Sequence, residues 1–278
     1  MDKKCRVVSF FSRKGGTGKT TLAVELMAFA ANAGDRVLII GCDQQEDLTD
    51  LFLAGVEEYD PDDHLSLASV IGGECELHEA IIKSAPYACY DYNIRFDGGV
   101  FRNRMHRKEY TIDFMPAGMD IAYVNSDDFY FLNKIIEPLK QEYDWIVFDL
   151  PPTDSEMSVY VFFCTDYCII PVTDRASFKS IRMVMDTLNL VRSHGHDIRC
   201  LGAVLNMDSN TKSLKKANKQ IFMESKDIMF SSTIRDSADI SNSAAFAIPV
   251  CSYNKTPVQE DLYLVYTEML ARIESEEA

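Results

Sequence analysis

Positive charge is in short supply here: 28 lysines and arginines stand against 43 aspartates and glutamates, a formal balance of −15 with a pI near 4.7. That balance excludes a surface coated for nucleic acid all over. It leaves room for a local basic patch, because screening confines charge effects to roughly 10 Å at 0.1 M salt. Thirteen glycines and nine prolines are too few for a fibrous or low-complexity chain. The cysteines at 5, 42, 75, 89, 164, 168, 200 and 251 never form a C-x-x-C pair. In a chain of this length they read as mostly buried, reduced thiols of a cytoplasmic protein. Long apolar runs are missing too. MDKKCRVVSFF is too short for a signal peptide, and no later stretch approaches the roughly 18 apolar residues of a membrane span. The expectation is a soluble, cytoplasmic protein whose 47% hydrophobic content suffices for a full core.

What is present is a rhythm. RVVSFFS (6–12), RVLIIGC (36–42), YTIDFMPA (110–117), DWIVFDLPP (144–152), DYCIIPVT (166–173) and CLGAVLNMD (200–208) are short apolar runs that end in turn residues. They read as buried strands, with DIMFSSTI (227–234) a weaker seventh. Between them helices are predicted, among them 20–33, closed by Gly34, and 179–193, closed by Gly195. Valine- and isoleucine-rich strands alternating with helices predict an α/β fold, a mainly parallel sheet covered on both faces. With no repeat and no flexible linker, residues 1–278 read as one domain. The least regular stretch is 56–109, which opens on VEEYDPDD and closes on FRNRMHRK. Its middle, 66–84, predicts two short helices. It is either a recognition element or a variable surface excursion.

The stretch RVVSFF–SRKGGTGKTT joins a strand, a glycine-rich turn and a helix N-terminus, the setting a phosphate-binding loop requires. Gly15, Gly16 and Gly18 let the backbone curl so that its N–H groups converge on phosphate oxygens, with Thr17 between them. The positive end of the next helix adds to that field. Lys19 is expected to reach the β- and γ-phosphates, the Thr20 hydroxyl to ligate Mg²⁺, and Thr21 to support the α-phosphate. The general pattern G-x-x-x-x-G-K-[ST] asks for glycine where this chain has Arg13. The plainer reading, a chance glycine-rich turn, has to explain strand, helix and G-K-T together.

Residues 14–21, K-G-G-x-G-K-T-T, resemble the deviant Walker A loop of the ParA/MinD family of P-loop ATPases, which partition plasmids and chromosomes and position other cargo. The resemblance implies that Lys14 crosses a dimer interface to the phosphates held by the other subunit, so that ATP and Mg²⁺ bring two copies together. The alternative is a solvent-facing lysine. VLIIGCDQQEDLT is similar to the family's second motif, usually D-x-D-P-Q. Asp43 would orient the attacking water and Gln45 matches the glutamine, while Gly41 and Gln44 replace the first aspartate and the proline. The GCD wording is similar to the related nitrogenase iron protein. Asp43 as a plain helix cap is the other reading. TIDFMPAG and YDWIVFDLPPT resemble the family's next strand-and-turn and its Walker B and switch II region. Asp149 would there hold the Mg²⁺ water shell, with Pro151 and Pro152 stiffening the switch. Asn206 lies where the family often places a polar group near adenine. The likeness runs from about residue 6 to 273.

Relatives act on DNA or on membranes. Membrane attachment uses a basic amphipathic C-terminal helix, whereas DLYLVYTEMLARIESEEA carries one arginine and an acidic cluster, so no membrane partner is expected. For nonspecific DNA the candidate is TKSLKKANKQIF. On a helix, Lys212, Lys215, Lys216 and Lys219 fall at i, i+3, i+4 and i+7, on one face. A solvated helix face is the alternative. Arg102, Arg104, Arg107 and Lys108 make a second, lesser patch. STIRDSADIS resembles a family segment that often carries arginine, and Asp239 occupies that neighbourhood here. Three functions compete: a DNA-partitioning ATPase released by a ParB-like activating partner, the same ATP switch acting on a protein cargo, and a cluster carrier akin to the nitrogenase iron protein using Cys164 and Cys168. A metabolic kinase has no use for Lys14.

Overall fold

The structure, a computed structural model, describes residues 4–45, 48–49, 64–84, 87–90, 107–152, 155–208, 227–252 and 256–277. Strands β1 (Arg6–Phe10), β2 (Val37–Gly41), β3 (Ile82–Lys83), β6 (Asp113–Met115), β7 (Trp145–Asp149), β8 (Tyr167–Val172), β9 (Arg199–Asp208) and β10 (Met229–Arg235) form one sheet, and β4 (Tyr87–Tyr90) and β5 (Arg107–Tyr110) a separate antiparallel pair. The order of the large sheet is β10-β9-β8-β1-β7-β2-β6-β3, parallel throughout except for the edge strand β3.

Both faces of that sheet are buried, which is why its strands read as unbroken apolar runs. Successive side chains go to opposite sides. Val8 and Phe10 join one core with Ile39, Trp145 and Val147, while Val7 and Phe11 join the other with Leu38, Ile40, Ile146 and Phe148. The first core is closed by α1 (Lys19–Ala33) and by the C-terminal helix Pro257–Glu277, through Leu22, Leu26, Val265, Met269 and Ile273. The second is closed by the helices Phe131–Ile136, Glu156–Phe162 and Arg175–Ser193. The C-terminal helix thus spends its apolar side on the sheet. Among the described residues no helix is long and apolar enough to cross a membrane.

Three expectations need correction. The run 110–117 is not one strand. Tyr110 ends β5 opposite Tyr87, and the main sheet resumes only at Asp113, because Ser84 Oγ accepts from Ile112 N and Ser84 N donates to the Ile112 carbonyl. The helix expected from 179 begins at Arg175. Asp174 is its N-cap, with Oδ1 accepting from Ala176 N at 3.1 Å and Ser177 N at 2.9 Å. The stretch 64–84 is no mere surface excursion. Its two short helices, Leu67–Gly72 and Leu77–Ala80, bury Leu67 and Ala80, and Ile82–Lys83 completes the sheet edge. They dock on the Pro116–Gly118 turn, where Leu67 N and Ala68 N donate to the Pro116 and Ala117 carbonyls. Gly118 has φ +78, and a Cβ on it would lie 2.2 Å from Ser66 Oγ, so no other residue fits.

Candidate functional site

Register places the site. β1 and β2 both pair with β7, with Phe10 and Gly41 each level with Asp149. The three strands therefore deliver the glycine-rich loop, Asp43 and Asp149 to one edge of the sheet, the carboxyl end where parallel sheets hold ligands.

The loop comes directly after β1, whose exit is fixed by Phe11 N donating to the Ile169 carbonyl of β8. Gly16 and Gly18 take φ of +70 and +83, the left-handed region that glycine tolerates. A side chain at Gly16 would meet nothing within 4 Å, whereas one at Gly18 would lie 2.4 Å from Asn206 Nδ2. The outer lip of the loop is thus open and its inner wall closely backed. Thr17, fully buried, donates through its hydroxyl to the Lys14 carbonyl and accepts at its own carbonyl from Asn206 Nδ2 at 3.0 Å. Helix α1 then starts at Lys19, with Leu22 N donating to the Gly18 carbonyl. The N–H groups of its first turn face the loop.

Thr20 Oγ1 donates to Asp149 Oδ2 at 2.6 Å, and Asp149 is 2% exposed. A hydroxyl and a carboxylate, both hard oxygen donors, suit Mg²⁺ with its waters. Lys19 is buried at the head of α1. Asn206 is buried as well, and its Oδ1 has no hydrogen-bond partner among the described residues, an acceptor left for a donor from outside. Met207, next in the chain, is 40% exposed with φ +53, an uncommon backbone for a non-glycine residue. Open glycine loop, Thr20–Asp149 oxygens and orphaned acceptor together fit an Mg²⁺-nucleotide.

Asp43 leaves the end of β2 half-buried, and its Oδ1 accepts from Gln45 N at 3.0 Å. Its carboxylate turns back on the backbone two residues on, a contact of the kind that helix caps also make. A cleft of about 390 Å³ opens beside it, walled by Ile121, Pro151, Pro152 and Glu156. Gly41, in place of the first aspartate of the D-x-D pattern, answers a packing demand. A Cβ there would lie 3.2 Å from the Ala117 backbone nitrogen.

Lys14 points to its own chain. Its Nζ donates to Asp174 Oδ2 at 2.5 Å, between side chains that are each a little under half exposed. Arg13, beside it, donates to Thr187 Oγ1 at 3.2 Å, so both loop cations contact the Arg175–Ser193 helix or its cap. Asp174, Ser177 and Thr187 were missed in the sequence. The D-x-x-S spacing of 174–177 signals the helix cap but says nothing of Lys14. Glu25 was missed as well. It is buried in α1, accepting from Ser243 Oγ and, at 2.8 Å, from Val250 N, and burial pushes its carboxyl up to about 7. Cys164 and Cys168 are buried thiols pushed well up by burial, poor sources of thiolate for a cluster. Lys212, Lys215, Lys216 and Lys219, with Arg102 and Arg104, lie outside the described residues.

A strand–loop–helix with its hydroxyl and carboxylate at the edge of a parallel sheet defines a P-loop nucleotide-binding protein. The family profile of the CobQ/CobB/MinD/ParA nucleotide binding domain matches residues 8–250, and the chain belongs to that family. Among its relatives, the chromosome-partitioning ATPase Soj of Treponema pallidum is 22% identical over 254 residues, 90% of each chain. The ATP complex of McdA from Cyanothece superposes with a TM-score of 0.75 at 17% identity, covering 97% of both chains. A plasmid partition protein of Borrelia burgdorferi bound to AMPPNP gives 0.71 at 18% identity, over 98% of this chain and all of that one.

Proposed function

We propose that the chain, acting as one ATPase unit, is a partition-type switch. Two copies close face to face on Mg²⁺-ATP, bind nonspecific DNA in that state, and separate when a ParB-like partner stimulates hydrolysis. The observation that carries this reading is the Thr20–Asp149 pair at the head of an open glycine loop, with a second lysine directed away from that loop. Bound Mg²⁺-ATP supplies the anhydride to be split and a divalent charge that offsets its oxygens. Lys19 and the N–H groups of Gly15, Gly16, Thr17, Gly18 and Thr21 hold the phosphates. Thr20 ligates the metal and Asp149 holds one of its waters. Asp43 takes the proton side of the attacking water and aligns it. Lys14 of each copy reaches the phosphates of the other, a role that by analogy with arginine fingers is worth roughly 10³–10⁵ in rate. Asn206 Oδ1 accepts from the exocyclic amine of adenine.

DNA contact falls to Lys212, Lys215, Lys216 and Lys219. The test is binding of the Asp43→Ala protein to random-sequence duplex, with ATP and with ADP, across a salt series. Expected is tight binding with ATP alone, lost steeply with salt at about 0.9 in log–log slope per phosphate contact and relieved by removing Lys215 and Lys216. The second reading, a protein cargo, is favoured by the charge of the neighbouring edge. Arg235 is neutralised by Asp261 at 2.6 Å, and Asp239 adds an acid at the start of the Ala238–Phe246 helix. An ATP-bound dimer that ignores DNA selects that reading.

A further inference from the structure

We propose that Asp174 is the positioning residue of Lys14 in the single chain, and that this ion pair is a latch which must open before two copies can close on nucleotide. The inference rests on the reading of Lys14 as a residue that reaches the partner's phosphates.

The pair is built by rigid parts. β1 and β8 are neighbours in the sheet, one leading to Lys14 and the other to Asp174, so strand register brings the two residues together. The carboxylate is divided between two tasks. Oδ1 caps the Arg175–Ser193 helix through Ala176 N, Ser177 N and the Ser177 hydroxyl, while Oδ2 takes Lys14 Nζ. Ser177 Oγ in turn accepts from Thr173 N and Asp174 N, which fixes the backbone that carries the carboxylate. The side-chain hydrogen bond from Lys14, helped by the Ser177 N–H, holds the Asp174 carboxyl down to about 2, so the acceptor stays charged at any ordinary pH.

Lys14 Nζ is held here against its own chain, and reaching a second molecule's phosphates draws it off Asp174. Each copy therefore surrenders this contact when the dimer forms. A half-exposed ion pair is modest, worth about twofold to fivefold in an equilibrium constant. Two such pairs open per dimer, so the dissociation constant carries up to about a twentyfold penalty. Such a latch sets the protein and nucleotide concentration at which dimers appear, and it weakens as salt rises.

The variant Asp174→Asn tests this, because asparagine caps a helix as well as aspartate does and keeps the Oδ1 contacts. Two readouts are compared across wild type, Asp174→Asn, Lys14→Ala and the double variant. The first is trace acetylation of the Lys14 amine in the nucleotide-free chain, read by peptide mass spectrometry. The second is dimerisation with Mg²⁺ and a non-hydrolysable ATP analogue, read by sedimentation. Expected are a severalfold faster labelling of Lys14 in Asp174→Asn, and half-dimerisation at a protein concentration about fivefold to twentyfold lower, with neither Lys14→Ala protein dimerising. Unchanged labelling shows that Asp174 does not hold Lys14 and overturns the proposal. Faster labelling with an unchanged or higher dimerisation threshold overturns the latch and leaves the ATP dimer standing. A Lys14→Ala protein that dimerises like wild type overturns the reading of Lys14 itself, and the latch falls with it.

Discussion

At the scale of single residues, the site combines a part that is legible in the chain and a part that is not. Thr20 and Asp149 could be paired from sequence, because a local motif fixes one and the end of an apolar strand fixes the other. Asp174 could not, since its contact with Lys14 joins residues 160 apart, and only strand order makes them neighbours. Gly18→Ala should be more damaging than its size suggests. It combines a left-handed φ with a Cβ 2.4 Å from Asn206 Nδ2, so a loss of roughly 1–3 kcal/mol is expected along with loss of nucleotide binding. Thermal denaturation and a fluorescent-nucleotide titration check the two parts separately. Glu25 gives a pH signature. Its carboxyl is raised to about 7 in the folded chain, above the ordinary 4.5, so the folded state keeps its proton where the unfolded chain has lost it. Its contribution is most favourable below about 4.5, declines between 4.5 and 7, and is fully lost above 7. Glu25→Gln keeps an acceptor for Val250 N and a donor for Ser243 Oγ. It should flatten the window of melting temperatures between about pH 4.5 and 7 and raise the value at about pH 8.

At the scale of elements, the strands were readable because burial on both faces leaves them no polar alternation to confuse. The reading failed where contacts from far away decide. Nothing within 110–117 announces a break, for Tyr110, Thr111, Ile112, Asp113 and Phe114 alternate apolar and polar as a strand does, and the interruption comes from Ser84. The late start expected for the Arg175–Ser193 helix is a different, local failure, since the Asp174–Ser177 cap lies within three residues and its polar residues were passed over. Asp174→Ala should cost about 1 kcal/mol through the lost cap, whereas Asp174→Asn should be near neutral in urea unfolding. Arg272 joins three elements. Its guanidinium donates to the Leu201 and Met229 carbonyls at 2.7 Å each and lies 4.2 Å over the Phe230 ring. Gly202, at φ +128, makes room for it, a Cβ there falling 2.7 Å from Arg272 Nη1. Arg272→Ala removes the donors to two carbonyls of β9 and β10 and should destabilise the chain by roughly 2–4 kcal/mol, measurable as a lower urea midpoint with unchanged slope.

At the scale of the whole molecule, the sheet has one parallel strand, β10, at its margin, and the C-terminal helix attends to it. Glu268 Oε1 and Oε2 accept from Ser231 N and Ser232 N at 2.8 and 2.9 Å, and Asp261 Oδ2 accepts from Arg235 N at 3.1 Å. Backbone donors that would otherwise recruit another strand are engaged by carboxylates. Glu268→Ala should therefore leave nucleotide binding intact and raise aggregation on storage, which light scattering reads. The arrangement also has a direction in time. A ribosome finishes β10 about 30 residues before it reaches Glu268, an interval of roughly 2–6 s at ordinary elongation rates. The exit tunnel encloses a length of chain of that order, so β10 emerges while its cover is still inside and presents an adhesive margin among sister chains on the same messenger. A pause soon after Glu268 is made, with β10 outside the tunnel and its cover still within, would prolong the hazard, whereas one soon after β10 would not, so the yield of native protein should depend on where translation slows as well as on how stable the finished fold is.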